Sequence, residues 1–149
     1  MREAIAAIVA DAESEHAVWD GACVNWPPEV GGEPTRIQWC HGAPGIVSAI
    51  GDLLPEDLLL GGAETTWRAG PLEKGPGLCQ GTAGNGYALL RIYVLTGDEV
   101  WLERAHSFAE AALGQLQGPY SLLTGDVGAT LFAHSCLAVD PSFPIMDAI

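Results

Sequence analysis

The sequence predicts an all-α protein built as a repeating array in which buried helices alternate with amphipathic ones. Three observations carry this. The pairs Gly42-x-x-Gly45, Gly81-x-x-Gly84 and Gly125-x-x-Gly128 recur at intervals of 39 and 44 residues, and each opens an apolar segment. The segments that follow them are nearly free of charge, whereas those between carry Glu, Asp and Arg mostly off one apolar stripe. Hydrophobic residues make up 48% of the chain and charged residues 17%, so much of each helix surface has to be buried. A period of that size with two kinds of helix is the pattern of an α/α repeat array. At 149 residues the chain reads as one domain, 1–149, large enough for a core.

Taken in order, residues 3–18 form a helix rich in Ala and Ile, with Glu and Asp on its polar side. Residues 20–38 hold Gly21, Pro27, Pro28, Gly31, Gly32 and Pro34 and read as a long loop without regular structure. Pro44 sits near the first turn of a helix that runs to about Leu54, a place where proline is tolerated, and Pro55 ends it. A helix over 56–69 follows, weakened in its middle by Gly61-Gly62. The Gly/Pro loop 70–83 carries Lys74 and Cys79. In the helix over about 84–95 the only charge is Arg91, as expected of a helix buried on all sides. Gly97 stops it and Asp98 caps the next, which runs to about Leu116 with Trp101, Ala105, Phe108, Ala112 and Leu116 on one stripe. Residues 126–138 give a last nearly uncharged helix, and Phe143-Pro144 lead an irregular tail.

Charge narrows the function classes. The formal net charge of −13, from 19 acidic and 6 basic residues, argues against nucleic acid or an anionic membrane as partner, since both need Lys and Arg to neutralise phosphate. No apolar run reaches the roughly 18–20 residues of a membrane span, and Met1-Arg2-Glu3-Ala4 opens a charged helix rather than a signal peptide. Four cysteines without a secretory leader suit a reducing compartment, so a cytoplasmic location is expected.

In register, Cys40 and Cys79 occupy the same place in repeats one and two, two residues before the first glycine, and Leu123 holds that place in repeat three. Two thiols therefore converge at one end of the array. Apolar helix N-termini beside both are expected to add positive potential that favours thiolates. As plain buried cysteines they would be inert, and as an unmetallated pair they are candidates for a disulfide. His16, His106 and His134 read as structural, Cys23 and Cys136 as inert, and the five tryptophans as packing.

At these residues the chain resembles a known family. Trp39-Cys40-His41-Gly42-Ala43-Pro44-Gly45, Gly77-Leu78-Cys79-x-Gly81-x-Ala83-Gly84-Asn85, and Pro119-Tyr120-Ser121-Leu122 with Gly125 and Phe143-Pro144 are similar to motifs of the lanthionine synthetase C-like proteins. The resemblance implies an α/α toroid of inner and outer helices, with zinc at one end of its central cavity. It implies activation of a thiol, from a peptide cysteine or from glutathione, for addition to a dehydroamino acid. Cys40 and Cys79 fall on metal-ligand positions, and Gln80 on the third, where the family has histidine. His41 falls where the family has a site residue that can handle protons, Arg36 where it has a basic residue near the metal, and Lys74 on a position linked to thiol-substrate binding in the glutathione-using branch.

The family toroid has about twice as many helix pairs, and this sequence is read as its C-terminal part, with about three inner and three outer helices counting the one at 3–18. The chain is thus expected to lack the N-terminal repeats. Self-association, a complementary N-terminal subunit or a fragment are the readings for the open arc, self-association being favoured. The competing functional reading is a catalytically impaired or non-enzymatic scaffold that binds a peptide, a thiol or a partner subunit.

Overall fold

A computed structural model describes residues 1–146, so the last three residues of the expected domain lie outside the described residues. Six α-helices dominate: α1 (Arg2–His16), α2 (Ala43–Ile50), α3 (Glu56–Ala69), α4 (Thr82–Thr96), α5 (Glu99–Gly114) and α6 (Asp126–Ala138). Among the described residues the paired strands are a small antiparallel hairpin, β1 (Val18–Asp20) and β2 (Cys23–Asn25), which pairs Val18 with Asn25 and Asp20 with Cys23. It corrects the expectation of an irregular loop from residue 20. The glycines and prolines beyond Asn25 do break regular structure, but Val18-Trp19 and Cys23-Val24 are β-formers that flank a turn at Gly21 with φ +62°.

The helices form an arc. The inner row is α2, α4 and α6, with α4 against both others; α3 packs against α2 and α4 from outside, and α5 against α4 and α6. Residues 82–90 of α4 are all buried, as its composition requires. Arg91, its single charge, reaches the short 3-10 turn Gly51–Leu53 and pairs with Asp52 at 3.4 Å. The helix α1 sits at the periphery, exposed over most of its length, and is tied in near its end where Trp26 Nε1 donates to the Glu13 carbonyl at 2.9 Å. The Gly61-Gly62 pair has a packing reason: a Cβ at Gly61 would meet Trp19 and Val24, and one at Gly62 would meet Val47 and Trp26. Those glycines let the hairpin lie on α3, where Thr65 Oγ1 donates to the Val24 carbonyl at 2.7 Å.

The main core runs through α4, from Val47 and Ala63 to Phe108, Phe132 and Cys136. The tail closes it. Phe143 lies between Trp39, stacked at 4.3 Å, and Tyr87, met edge-on at 5.1 Å, so it joins the loop before α2 to α4.

The repeat is visible in backbone geometry as well as in sequence. In α2, α4 and α6 the first glycine (Gly42, Gly81, Gly125) is the N-cap and the second (Gly45, Gly84, Gly128) is the third helical residue. A Cβ on each second glycine would strike the carbonyl six residues back, that of Trp39, Leu78 or Leu122 respectively. These carbonyls belong to the residues just before Cys40, Cys79 and Leu123. One close approach, used three times, thus sets the loop that presents this position. Gly42 is constrained further by φ +95° and by Asn25 Oδ1, which a Cβ would meet at 2.6 Å.

Candidate thiol centre

Positions 40, 79 and 123 form a ladder. Cys40 N donates to the Cys79 carbonyl at 3.4 Å, and Cys79 N donates to the Leu123 carbonyl at 2.8 Å. The repeat register that the glycines define is therefore also a register of backbone hydrogen bonds, and it brings two cysteines 39 residues apart side by side. Both are only partly buried and neither belongs to a hydrophobic cluster, whereas Cys136 lies inside the main core. Burial first, and then the neighbouring Cys40 thiol, push the Cys79 thiol above its ordinary range.

Cys40 sits in a tight turn. Gln38 N donates to the His41 carbonyl at 3.0 Å and His41 N to the Gln38 carbonyl at 2.8 Å. The preceding carbonyls are clamped too: Asn25 Nδ2 donates to Arg36 O, and Asn85 Nδ2 to Ile37 O, each at 3.0 Å. With its backbone fixed from β2 and α4, the turn places His41 Nδ1 at 3.2 Å and Gln38 Nε2 at 3.1 Å from Cys40 Sγ.

Lys74 reaches the same cluster. Its Nζ donates to Gln38 Oε1 at 2.9 Å. Its loop is anchored by Thr82 Oγ1, which accepts from Leu72 N at 3.0 Å, and by Gln115 Nε2, which donates to Leu72 O at 3.0 Å. Arg36 is exposed; it lines a cleft of about 470 Å³ with Gln38 and Lys74. Gln80 is also exposed and makes no hydrogen bond to either thiol among the described residues. The structure therefore gathers Cys40, Cys79, His41 and, through Gln38, Lys74, while Arg36 lines the cleft and Gln80, next to Cys79 in the chain, is exposed. Gln38 is the residue that sequence reasoning missed. The available signal was an amide two positions before Cys40, on a segment otherwise reading Ile37-x-Trp39.

The helix N-termini contribute less directly than the sequence suggests. The first three amides of α4 donate to the carbonyls of Gly75, Pro76 and Gly77 at 3.0, 3.2 and 3.3 Å, and Ala43 N of α2 donates to Asn25 Oδ1 at 2.8 Å. These amides are spent on backbone and Asn25, so the thiols receive the longer-range helix field rather than direct hydrogen bonds from them.

The family description "lanthionine synthetase C-like protein" matches residues 5–147. The chain belongs to the lanthionine synthetase C-like family. It is 35% identical over 129 residues to "Glutathione S-transferase LANCL1" of Danio rerio, covering 76% of this chain and 32% of that protein. It is 37% identical over 141 residues to "LanC-like protein GCL1" of Arabidopsis thaliana, covering 80% of this chain and 32% of that one. The chain thus spans about a third of the length of these curated relatives.

The donor set fits zinc in two ligands and departs from it in the third. A catalytic zinc takes three protein ligands and one exchangeable position. Cys40 and Cys79 are juxtaposed soft donors, but among the described residues no group of three or more His, Cys, Asp and Glu is placed to hold a metal. The amide of Gln80 is a weak donor beside an imidazole, and the nearest imidazole, His41, is engaged with Cys40. No helix is long and apolar enough to cross a membrane among the described residues.

Proposed function

We propose that this chain carries the thiol-handling part of a LanC-like site, which binds a small or peptide thiol for addition to a dehydroamino acid. The observation that carries the reading is the Cys40–Cys79 pair itself: two partly buried thiols, outside the core, on equivalent rungs of a repeat joined by the Cys40 N to Cys79 carbonyl hydrogen bond at 3.4 Å. Packing does not call for cysteine at either place. The relative named as a glutathione S-transferase supports a glutathione-type thiol as one substrate class, with a peptide cysteine as the other.

Zinc would be held by Cys40 and Cys79, with Gln80 or His41 as a weaker third donor, and when bound it would lower the pKa of a substrate thiol. The remaining work belongs to the chain. Addition forms a C–S bond at the β-carbon of the dehydroamino acid and places a proton on its α-carbon, so the thiol's own proton balances the reaction. His41, beside Cys40, is the group to receive that proton and return it. It cannot do so while ligating a metal, so the two roles exclude each other. Lys74 and Arg36 outnumber Glu73 on the cleft wall, leaving it net positive in a chain of net charge −13 and suited to a carboxylate on the thiol substrate. A reducing cytoplasmic compartment would keep the pair as thiols.

A second reading rests on Gln80: a site without its third strong ligand is a thiol- or peptide-binding scaffold without turnover. One experiment separates the two. Purified protein is reconstituted with zinc, its metal content is measured, and it is then incubated with glutathione or a cysteinyl peptide and a dehydroalanine peptide. Bound zinc with a mass gain equal to the added thiol supports the enzyme reading. Less than about a tenth of an equivalent of zinc and no adduct removes it. The exposed apolar residues Val127 and Leu137 on α6, at 44% and 84% exposure, support self-association or a complementary subunit. A monodisperse monomer in light scattering at micromolar concentration, unchanged by a partner chain, would contradict that.

A further inference from the structure

We infer that Gln38 is a positioning residue that holds the Lys74 ammonium on Cys40, making Cys40 the thiol that faces an anionic ligand. Gln38 is buried, at 3% exposure, and both ends of its amide are used, on Lys74 Nζ at 2.9 Å and on Cys40 Sγ at 3.1 Å. Lysine only donates, so the oxygen of the amide must face Nζ, and the NH2 end must therefore face the sulfur. The orientation of the amide is thus fixed by chemistry rather than chosen. The backbone of Gln38 is locked by the double hydrogen bond to His41 and by the clamped carbonyls before it, so its side chain has a fixed origin.

The consequence lies in how the loops are tied. Lys74 is on the loop between α3 and α4, an exposed residue whose long stem costs considerable entropy to order. Its ammonium meets the centre through this amide. Without Gln38 the stem returns to solvent, and the positive charge leaves the sulfur. The Nζ-to-Sγ separation across the amide is at most about 8 Å, where a unit charge changes the energy of an anion enough for a rate ratio of roughly two- to sixfold in a partly solvated site.

The inference rests on Cys40 being part of the site, but on neither zinc nor turnover, so its test is made on the metal-free protein. Cys40 is alkylated with iodoacetate, an anion, and separately with iodoacetamide, its neutral counterpart, and the modification of each cysteine is followed by peptide mass. Both reagents draw on the same thiolate, so the ratio of their rates at Cys40 reports local charge and cancels thiol ionisation. The expected result is a ratio roughly two- to sixfold lower in Gln38→Leu than in wild type. Lys74→Gln should lower it equally, and the double variant should fall no further, because one residue acts through the other. Gln38→Met, unbranched and of similar length, repeats the measurement should Gln38→Leu unfold, with near-ultraviolet circular dichroism as the check. An unchanged ratio in a folded Gln38 variant overturns the inference, as does a double variant whose loss is the product of the two single losses. Failure here with zinc-dependent addition intact leaves the thiol site standing and removes only Gln38's role.

Discussion

Placing a methyl group on Gly84 tests the link between repeat geometry and the thiol centre. An alanine Cβ there would strike the Leu78 carbonyl and lie 3.0 Å from Trp39 Cβ. Helix propensity favours Gly→Ala by about 1 kcal/mol, whereas overpacking costs about 1–3 kcal/mol. The obstacle here is a carbonyl oxygen, which has no rotamer to escape into, so the cost sits at or above the top of that range. A net loss of about 2 kcal/mol is expected, which at the usual slope for a small protein lowers the urea midpoint by about 1 M. Gly45→Ala and Gly128→Ala meet the equivalent carbonyls, of Trp39 and Leu122, and should lose similar amounts. The thiols distinguish the three. Bridging of Cys40 and Cys79 by a short bifunctional alkylating reagent, measured well below each midpoint, should fall several-fold for Gly45→Ala and Gly84→Ala, whose clashes lie one residue before a cysteine. It should fall less for Gly128→Ala, whose clash precedes Leu123. Gly84→Ala as stable as wild type, or Gly128→Ala losing as much bridging as Gly84→Ala, would refute the argument.

Other expectations follow from single residues. Gln80→His supplies an imidazole beside Cys79 and should tighten zinc at least about tenfold in a competition titration with a chromophoric chelator; an unchanged affinity would mean that residue 80 does not face the pair. The Cys136 thiol, buried between α5 and α6, is pushed up to about 12, so it stays protonated in the folded protein while the unfolded chain ionises near the ordinary thiol value. The unfolded state then binds fewer protons, and this thiol's contribution to stability is full below about pH 8.5 and falls at up to about 1.4 kcal/mol per pH unit above it. Denaturant melts of wild type and Cys136→Ala between pH 8 and pH 10 should show that slope in the difference between the two, since the raised Cys79 thiol titrates in both. The buried Tyr87 hydroxyl and Ser135 Oγ, 2.8 Å apart, should show a coupling of about 1 kcal/mol in a double-mutant cycle of Tyr87→Phe and Ser135→Ala, since each single change strands the other hydroxyl; additive losses would mean that water already serves both.

The helical arc was legible because its signals are local and repeated. Composition alone marks α4 as buried, and the glycine pairs mark the N-cap and third residue of each inner helix in turn. The hairpin over 18–25 was hidden because three-residue strands carry little periodicity, and the glycines and prolines that follow dominate the segment. At the site, Cys40, Cys79 and His41 announce themselves by residue type and register. Gln38 does not, since its role depends on a lysine 36 residues away across a loop, and no local pattern encodes that pairing. The exposed setting of Gln80 was equally invisible, because being adjacent to Cys79 in sequence does not aim a side chain at the thiol.

The scaffold and its chemistry are separable in this molecule. The ladder through positions 40, 79 and 123 is made of backbone groups, and the contacts that shape it are between glycines and carbonyls, so it forms whatever side chain each rung carries. Leu123 demonstrates this: it occupies a rung with no thiol and accepts from Cys79 N at 2.8 Å. Folding therefore does not explain cysteine at the other two rungs, just as packing does explain it for Cys136 in the core. The same reasoning sets a limit. An intact ladder brings the two cysteines side by side, and nothing in it fixes the side chain one residue beyond the rung, where Gln80 is exposed.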